Sequence, residues 1–190
     1  MLILGSNSPR RKELLEKLGV KIDRIVGPNI EETPLKNEQP RSYVTRIAIE
    51  KNDAVTKGQN DCVLTADTIV SRGRRILGKP VGDHEARQFL SLLSGVRHKV
   101  FTAVCISYMG MQRVRSVQTV VKFKRLSLIE IDHYIKSGEW QGKAGGYAIQ
   151  GRASMFIPFI SGSYTNVVGL PLVETLALFN SVGFQLNLDF

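Results

Sequence analysis

Cysteine is scarce in this 190-residue chain. Only Cys62 and Cys105 are present, too few for a disulfide framework and without the spacing of a zinc site. No apolar run approaches the roughly 18 residues that a membrane-spanning helix needs, and the short apolar start precedes a basic run, the reverse order of a secretory signal peptide. Glycine and proline number 17 and 7, close to average usage, which excludes collagen-like and low-complexity chains. We therefore expect a folded cytoplasmic protein that does not insert into a membrane.

Acidic residues are also in short supply. Twenty-six Lys and Arg against 17 Asp and Glu give a net charge of +9, which favours polyanionic partners such as nucleic acid, an acidic surface or a phosphate-rich small molecule. Aromatic residues make up only 7 % of the chain, and no nucleic-acid recognition motif lies in the basic segments. Nucleic acid is therefore the least favoured of these three partners. The positions of individual charges are more informative about function than the net charge.

Apolar periodicity and turn residues predict alternating strands and helices. Predicted strands cover 2–4, 22–26 and 62–70, and a hairpin that turns near Gly110 joins 99–109 to 115–125. The predicted helix starts are Ser8 with Pro9, a point near Ser42, Asp83, the capping box of Ser127 with Glu130, and a point near Pro171. Because at least one strand pair is antiparallel, the pattern predicts a mixed-sheet α/β protein. No linker or internal repeat divides the chain, so we expect a single domain over 1–190.

The first helix carries cations where helix electrostatics disfavours them. Ser8 and Pro9 mark its N-terminus, whose dipole and free N–H groups are positive, yet Arg10 and Arg11 occupy the first turn and Lys12 follows. Each cation there costs about 0.3–1 kcal/mol. A bound anion would remove the conflict, because N–H groups and guanidinium groups would converge on it. A solvated basic turn is the alternative.

Two further charges interrupt buried patterns. In the second helix Lys51 falls on the apolar face that Ile47 and Val55 define, so its ammonium either reaches a solvent-exposed rim or points into a cleft. Asp67 lies inside the apolar run at 63–70, where an ionised carboxylate is costly unless it is paired, hydrogen-bonded or metal-bound. Both charges are candidates for function, and a structural ion pair is the alternative for Asp67.

Other polar residues complete a candidate phosphate site. Glu31 and Glu32 could join Asp67 as oxygen ligands for Mg²⁺ or Mn²⁺, and Lys79 adds a cation beyond the Asp67 strand. The glycines at 145–146 lie outside any G-x-x-x-x-G-K-[ST] motif, so we interpret them as a turn that places Tyr147 and Gln150. Together these residues predict a site where a hard cation such as Mg²⁺ is bound beside a cluster of positively charged side chains.

The same residues belong to an ordered series of motifs that resembles the Maf family of nucleoside triphosphate pyrophosphatases. The motifs are GSNSPRR at 5–11, ADTIV at 66–70, GKP at 78–80, SGVRH at 94–98, KAGGYAIQG at 143–151, GSY at 162–164 and GLPL at 169–172. The motifs occur in order along nearly the whole chain, and this ordered series is far more specific for the family than any single motif.

The resemblance implies an inosine-triphosphatase-like fold, with a mixed elongated sheet, flanking helices and two lobes around a deep cleft. It implies hydrolysis between the α- and β-phosphates of a nucleoside triphosphate, releasing a monophosphate and pyrophosphate with the help of a divalent cation, Mg²⁺ or Mn²⁺. The YAIQG segment followed by GSY is similar to the branch that acts on dTTP and UTP; the 7-methyl-GTP branch is the alternative. The expected partner is the nucleoside triphosphate, with a homodimer left open and no nucleic acid or membrane.

The resemblance also implies roles for single residues. Asp67 matches the general base, and the sequence leaves open whether it takes a proton or binds the metal together with Glu32. Lys51 and Lys79 match catalytic cations of the cleft. The residues that match substrate-binding positions are Ser8, Arg10, Arg11, Thr68 and Gln150, among which Arg10, Thr68 and Gln150 correspond to base selection. A nucleotide-binding regulator of septum formation without turnover is the remaining functional alternative.

Overall fold

Residues 1–186, which the computed structural model describes, contain seven β-strands. The strands are β1 (Leu2–Gly5), β2 (Arg24–Ile25), β3 (Cys62–Arg72), β4 (Arg75–Leu77), β5 (Arg97–Tyr108), β6 (Met111–Lys122) and β7 (Phe159–Ser161). They form one sheet of order β2-β1-β3-β5-β6-β7, with β4 paired to β3 outside that path. β1 is parallel to β2 and β3, whereas β3 with β4 and β6 with β7 are antiparallel. The predicted mixed α/β fold is confirmed.

Six α-helices flank this sheet within the described residues. They are α1 (Pro9–Glu16), α2 (Pro40–Asp53), α3 (Asp83–Leu93), α4 (Leu128–Lys136), α5 (Tyr164–Val168) and α6 (Leu172–Ser181). Two 3₁₀ turns cover Ala144–Gly146 and Arg152–Phe156. No helix in the described part of the chain is long and apolar enough to cross a membrane.

Local chemistry explains where three of the helices begin. The Ser127 hydroxyl and the Glu130 carboxylate form the predicted capping box of α4. The Asp83 prediction is wrong by one position, because Gly82 is the N-cap of α3 and Asp83 is its first residue, where a carboxylate complements the helix dipole. α2 begins at Pro40, two residues before the predicted start, since proline suits a first helical position that needs no N–H.

β2, at Arg24–Ile25, is shorter than the predicted strand over 22–26. Only Arg24 and Ile25 match residues of β1 in register. The N–H of Leu2 is taken by the Asp23 carboxylate at 2.6 Å, which replaces a further ladder bond. At the other end of β1, a Cβ on Gly5 would lie 2.5 Å from the Thr65 side chain, so glycine allows β1 to approach β3.

The chain divides into two compact units. Within the described residues, unit 1 comprises 1–67, 102–117 and 169–186, and unit 2 comprises 68–101 and 118–168. Buried side chains of unit 1 include Ile3, Val55 and Val63, with Val26 packed against them; large ones of unit 2 include Leu77, Leu90, Phe123 and Phe156. The single domain over 1–190 stays a prediction, and its last four residues lie outside the described ones.

Candidate active site

Asp67 is buried in the middle of β3. Only 6 % of the residue is exposed, and its Oδ1 accepts a hydrogen bond from the Lys51 ammonium at 2.7 Å. The strand places it there because buried residues precede it at 62–66 and follow it at 69–71, as the apolar run in the sequence predicted. The carboxylate that looked anomalous in the sequence is therefore an ion-paired group.

Lys51 joins two carboxylates. Its position on the buried face of α2 brings Nζ to 2.8 Å from Glu32 Oε1 as well as 2.7 Å from Asp67 Oδ1. The lysine side chain is 9 % exposed, whereas that of Glu32 is 37 % exposed. The ammonium does not reach a solvent-exposed rim; it lies between a buried carboxylate and one that solvent reaches.

α2 also holds the loop that carries Glu32. The Tyr43 hydroxyl donates to the Glu32 carbonyl at 3.0 Å, and the Arg46 guanidinium donates to the Thr33 carbonyl at 3.2 Å. Arg46 further pairs with the Glu38 carboxylate at 2.7 Å. These bonds fix an otherwise polar loop against the helix that presents Lys51.

Tyr43 is a site residue that the sequence analysis missed. Burial, and next the negative charges of Asp67 and Glu32, raise the pKa of Tyr43 to about 12. The available signal was its spacing, since Tyr43 and Lys51 lie eight residues apart on one helix face, just over two turns. A tyrosine on an apolar face is ordinary core, so its spacing alone did not assign it a polar role.

Arg11 is bonded within unit 1. Its Nε donates to the Gly169 carbonyl at 2.9 Å and its Nη1 donates to the Ser6 hydroxyl at 2.8 Å. Burial lowers the pKa of Arg11, and the charge of Asp67 opposes this shift. The guanidinium is thus a buried positive charge that acts on the same carboxylate as Lys51.

Ser8 and Arg10 complete the start of α1. Ser8 is the N-cap, as predicted, but its hydroxyl makes no capping bond; its N–H donates to the Ser6 hydroxyl at 3.3 Å. Arg10 is half-buried, and burial lowers the pKa of its guanidinium. Anion binding at this helix start stays a prediction.

The remaining predicted residues belong to unit 2. The boundary between the units on β3 falls between Asp67 and Thr68, and Thr68 is half-buried. Lys79 and Gln150 are exposed. The structure therefore brings Arg11, Lys51, Asp67 and Glu32 together within unit 1, and unit 2 presents Thr68, Lys79 and Gln150.

The glycine pair before Gln150 is a turn, as the sequence predicted. Gly145 and Gly146 have φ of +68° and +70°, a conformation that favours glycine. The Gly145 N–H donates to the Gly78 carbonyl at 2.9 Å, and a Cβ on Gly145 would lie 2.7 Å from a Val70 methyl carbon. The turn is tied by this bond to the residue before Lys79.

Glu32 and Asp67 form a candidate ligand pair for a divalent cation. The Lys51 ammonium already stands between them as a small cation within 2.8 Å of both, so their oxygens are spaced to share one charge. Mg²⁺ typically takes one or two protein carboxylates and completes its shell with water and substrate phosphates. The part of the chain that the structure describes contains no group of three or more His, Cys, Asp or Glu that could hold a metal by itself. The residues present fit that mode of binding.

Comparison with known proteins agrees with the motif series. Residues 1–182 match the family described as Maf-like protein. This chain belongs to the Maf family. The Maf-like chain is 56 % identical over 187 residues to a dTTP/UTP pyrophosphatase of Sphingopyxis alaskensis, covering 98 % of each chain. It is 56 % identical over 185 residues to a dTTP/UTP pyrophosphatase of Cereibacter sphaeroides, covering 97 % of this chain and 96 % of that one.

A solved structure supports the fold of this Maf-like chain. A HAM1 protein from Coxiella burnetii superposes with a TM-score of 0.51 at 14 % identity, covering 95 % of this chain and 98 % of the other. At that identity the likeness concerns the fold alone. The motifs at 5–11, 66–70 and 143–151 thus lie on a fold that this HAM1 protein shares.

Proposed function

We propose that this Maf-like chain is a nucleoside triphosphate pyrophosphatase that hydrolyses dTTP and UTP to the monophosphate and pyrophosphate. The observation that carries the proposal is its 56 % identity, over 98 % of its length, to a protein named dTTP/UTP pyrophosphatase. The buried pair of Asp67 and Lys51, together with the exposed Glu32 carboxylate, supplies the chemistry that such a reaction needs.

The reaction joins a water oxygen to the α-phosphorus and breaks the bond from that phosphorus to the oxygen that bridges it to the β-phosphate. The water proton passes to a base, and negative charge grows on the departing pyrophosphate. Asp67 is the proposed essential carboxylate, and Lys51, Lys79 and Arg11 are the proposed cations that oppose the developing charge. Positive groups fixed in a site from which water is largely excluded stabilise such charge more than mobile groups in water do.

Glu32 and Asp67 are the residues that would hold a divalent cation. When bound, Mg²⁺ or Mn²⁺ supplies positive charge that offsets the triphosphate. Lys51 contacts both carboxylates, so it keeps them near one another before a cation arrives. Asp67 could bind the cation or take the proton, and these two roles predict different effects of Asp67→Asn on cation binding.

Base selection is assigned to Arg10, Thr68 and Gln150. The exposed Gln150 amide offers one acceptor and two donors, which can match the N3–H donor and a carbonyl acceptor on the edge of thymine or uracil. The resulting order of kcat/KM is dTTP and UTP above CTP, with GTP and 7-methyl-GTP far below. A preference for 7-methyl-GTP would place the chain in the other branch.

A cytoplasmic location accompanies this function. Cys62 and Cys105 are free, buried thiols, as is usual for proteins of a reducing compartment. The proposed partner is the nucleoside triphosphate itself. A homodimer remains part of the proposal and is tested by the mass of the purified protein in solution.

The test is turnover of the purified protein with each nucleotide in Mg²⁺ or Mn²⁺, with products separated by chromatography. We expect thymidine or uridine monophosphate and pyrophosphate in equal amounts. Asp67→Asn should reduce kcat by about 10²- to 10⁴-fold, the usual contribution of a positioned acid–base group, while the protein stays folded. Asp53→Asn, an exposed carboxylate at the end of α2, is the matched control and should retain the wild-type rate.

Two outcomes would contradict the proposal. Tight nucleotide binding without product would favour the regulator over the enzyme. An Asp67→Asn protein with a near-normal rate would make Asp67 a structural ion-pair partner. In an active wild type, loss of Mn²⁺ binding in Asp67→Asn, measured by calorimetry, would identify Asp67 as a cation ligand, and retained binding with lost turnover would favour the proton acceptor.

A further inference from the structure

Gln150 stands out from its neighbours by exposure. Tyr147, Ala148 and Ile149 are each 5 % exposed, whereas Gln150 is exposed. The Gly151 N–H donates to the Ala148 carbonyl at 3.1 Å, so 148–151 is a hydrogen-bonded turn with Gln150 at its third position. The direction of the Gln150 side chain depends on how firmly this turn is held.

The turn is held on its N-terminal side by a tyrosine hydroxyl. The Ala148 N–H donates to Tyr134 Oη at 3.1 Å. Tyr134 lies in α4, is 3 % exposed, and packs edge-on against the Phe156 ring with centroids 5.5 Å apart. The hydroxyl therefore has a fixed position from which to accept this bond.

The turn is held on its C-terminal side by a carboxylate. Glu139 Oε1 accepts from the Arg152 N–H at 3.0 Å, and Glu139 Oε2 accepts from the Ala153 N–H at 3.4 Å. A Cβ on Gly151 would lie 2.1 Å from Glu139 Oε1, so the absence of a side chain at 151 is what lets the carboxylate reach the backbone.

Glu139 also acts on the hydroxyl through its charge. Burial raises the pKa of the Tyr134 phenol, the bond from the Ala148 N–H lowers it, and the negative charge of Glu139 raises it. The turn is therefore held by one bond at the residue two before Gln150 and by two bonds at the residues two and three after it.

We propose that Tyr134 and Glu139 are positioning residues for substrate selection: they clamp the turn at 148–151 and so fix where the Gln150 amide meets the base. Neither residue touches the base; both act through Gln150. The inference rests on the proposed function, because it concerns how that site ranks its substrates.

The test is a double-mutant cycle between the clamp and Gln150. Tyr134→Phe removes one hydroxyl and keeps the ring, and it should lower the ratio of kcat/KM for dTTP over CTP by about tenfold, the equivalent of roughly one hydrogen bond. The change should lie mainly in KM, since the cations and Asp67 are untouched. In a Gln150→Ala background, Tyr134→Phe should leave that ratio unchanged, because coupled residues are not additive.

Glu139 gives a second route to the same result. Glu139→Gln keeps one oxygen acceptor and should alter the ratio less than Glu139→Ala. The control is Thr175→Val, which removes a fully buried hydroxyl that donates to the Pro171 carbonyl at 2.7 Å. It should lower thermal stability by an amount comparable with Tyr134→Phe and leave the substrate ranking as in the wild type.

The outcomes separate the two proposals. A wild type that does not hydrolyse dTTP or UTP overturns the proposed function, and the clamp with it. An active wild type in which Tyr134→Phe leaves the ranking unchanged, or changes it equally with and without Gln150, overturns the clamp alone. If Glu139→Ala does not fold, Tyr134→Phe and Glu139→Gln still decide the question.

Discussion

Lys51 and Lys79 are both predicted catalytic cations, yet their surroundings differ. Lys51 is 7 % exposed and contacts two carboxylates, whereas Lys79 is exposed between Gly78 and Pro80. Removing one partner of a buried ion pair leaves an uncompensated charge. An exposed lysine leaves no such charge behind, so the two substitutions separate catalysis from stability.

Lys51→Met is expected to lower the free energy of unfolding by about 3–5 kcal/mol, and Lys79→Met by no more than about 0.5 kcal/mol. Both should reduce kcat/KM for dTTP. Urea unfolding and steady-state kinetics measure the two effects. Equal unfolding midpoints for the two variants would contradict the buried pairing.

His98 is a buried base that plays no part in the proposed chemistry. Its Nε2 lies 2.8 Å from the Tyr147 hydroxyl, its ring packs edge-on against Phe123, and its Nδ1 is among the buried atoms without a hydrogen-bond partner in the described residues. Burial lowers the pKa of His98 from 6.5 to about 4. Folding therefore favours the neutral imidazole.

The pH dependence of stability follows from that shift. Between pH 6.5 and 4 the unfolded chain binds the proton more readily than the folded one, so His98 contributes stability above pH 6.5 that is lost as the pH falls. The loss amounts to about 3 kcal/mol near pH 4. Free energies of unfolding in urea from pH 7 to 4 should show a shallower slope for His98→Asn than for the wild type. Parallel slopes would mean that His98 titrates normally.

At the scale of elements, patterns of residues close together in the sequence predicted local structure correctly. Contacts between residues far apart in the sequence could not be predicted from such patterns. The α4 capping box depends on two residues three positions apart, so the sequence predicted it. Lys51 and Asp67 were each identified as misplaced charges, but nothing in their separate patterns showed that they pair. No sequence pattern identified Glu139 as a candidate site residue, because its carboxylate binds backbone N–H groups at 152–153.

Two features of the glycine turn before Gln150 favour glycine: a positive φ and close packing against Val70. Their separate contributions to the free energy of unfolding can be measured. Gly145→Ala is expected to lower the free energy of unfolding by about 3 kcal/mol, from positive φ and from overlap with Val70. Gly142→Ala is the control, because Gly142 has φ of +67° and, among the described residues, a Cβ added there would meet no atom within 4 Å beyond its chain neighbours. It should cost about 1 kcal/mol. Val70→Ala should reduce the cost of Gly145→Ala, measured by denaturant titration. A cost equal to that of Gly142→Ala would exclude a packing contribution.

At the scale of the whole molecule, the ordered motifs predicted the fold and family, and the net charge predicted little. Motifs spread from 5 to 172 leave few alternatives for the fold, whereas +9 is compatible with several partners. The division of site residues between the two units could not be predicted, because it depends on a boundary inside β3. Sequence patterns assign Asp67 and Thr68 to one strand and do not locate that boundary.

The positive net charge nevertheless predicts weak, salt-dependent binding to nucleic acid. Binding of a 20-nucleotide single strand should be weak, with Kd of about 10⁻⁴–10⁻⁶ M at physiological salt, and should weaken steeply as salt rises, as for nonspecific contacts with phosphates. Fluorescence anisotropy over a salt series measures both. Submicromolar, sequence-dependent binding at physiological salt would contradict the expectation that nucleic acid is not a partner.

The two buried thiols allow transient opening of the structure to be measured by chemical labelling. Cys62 and Cys105 are fully buried in unit 1, and burial raises the pKa of each to about 12. A thiolate-directed reagent can reach neither until the strands around them separate, so the rate of labelling counts openings of that unit in the unmodified protein. Nucleotides or cations that bind this unit would slow the labelling, and the same two cysteines would record that protection without any engineered probe.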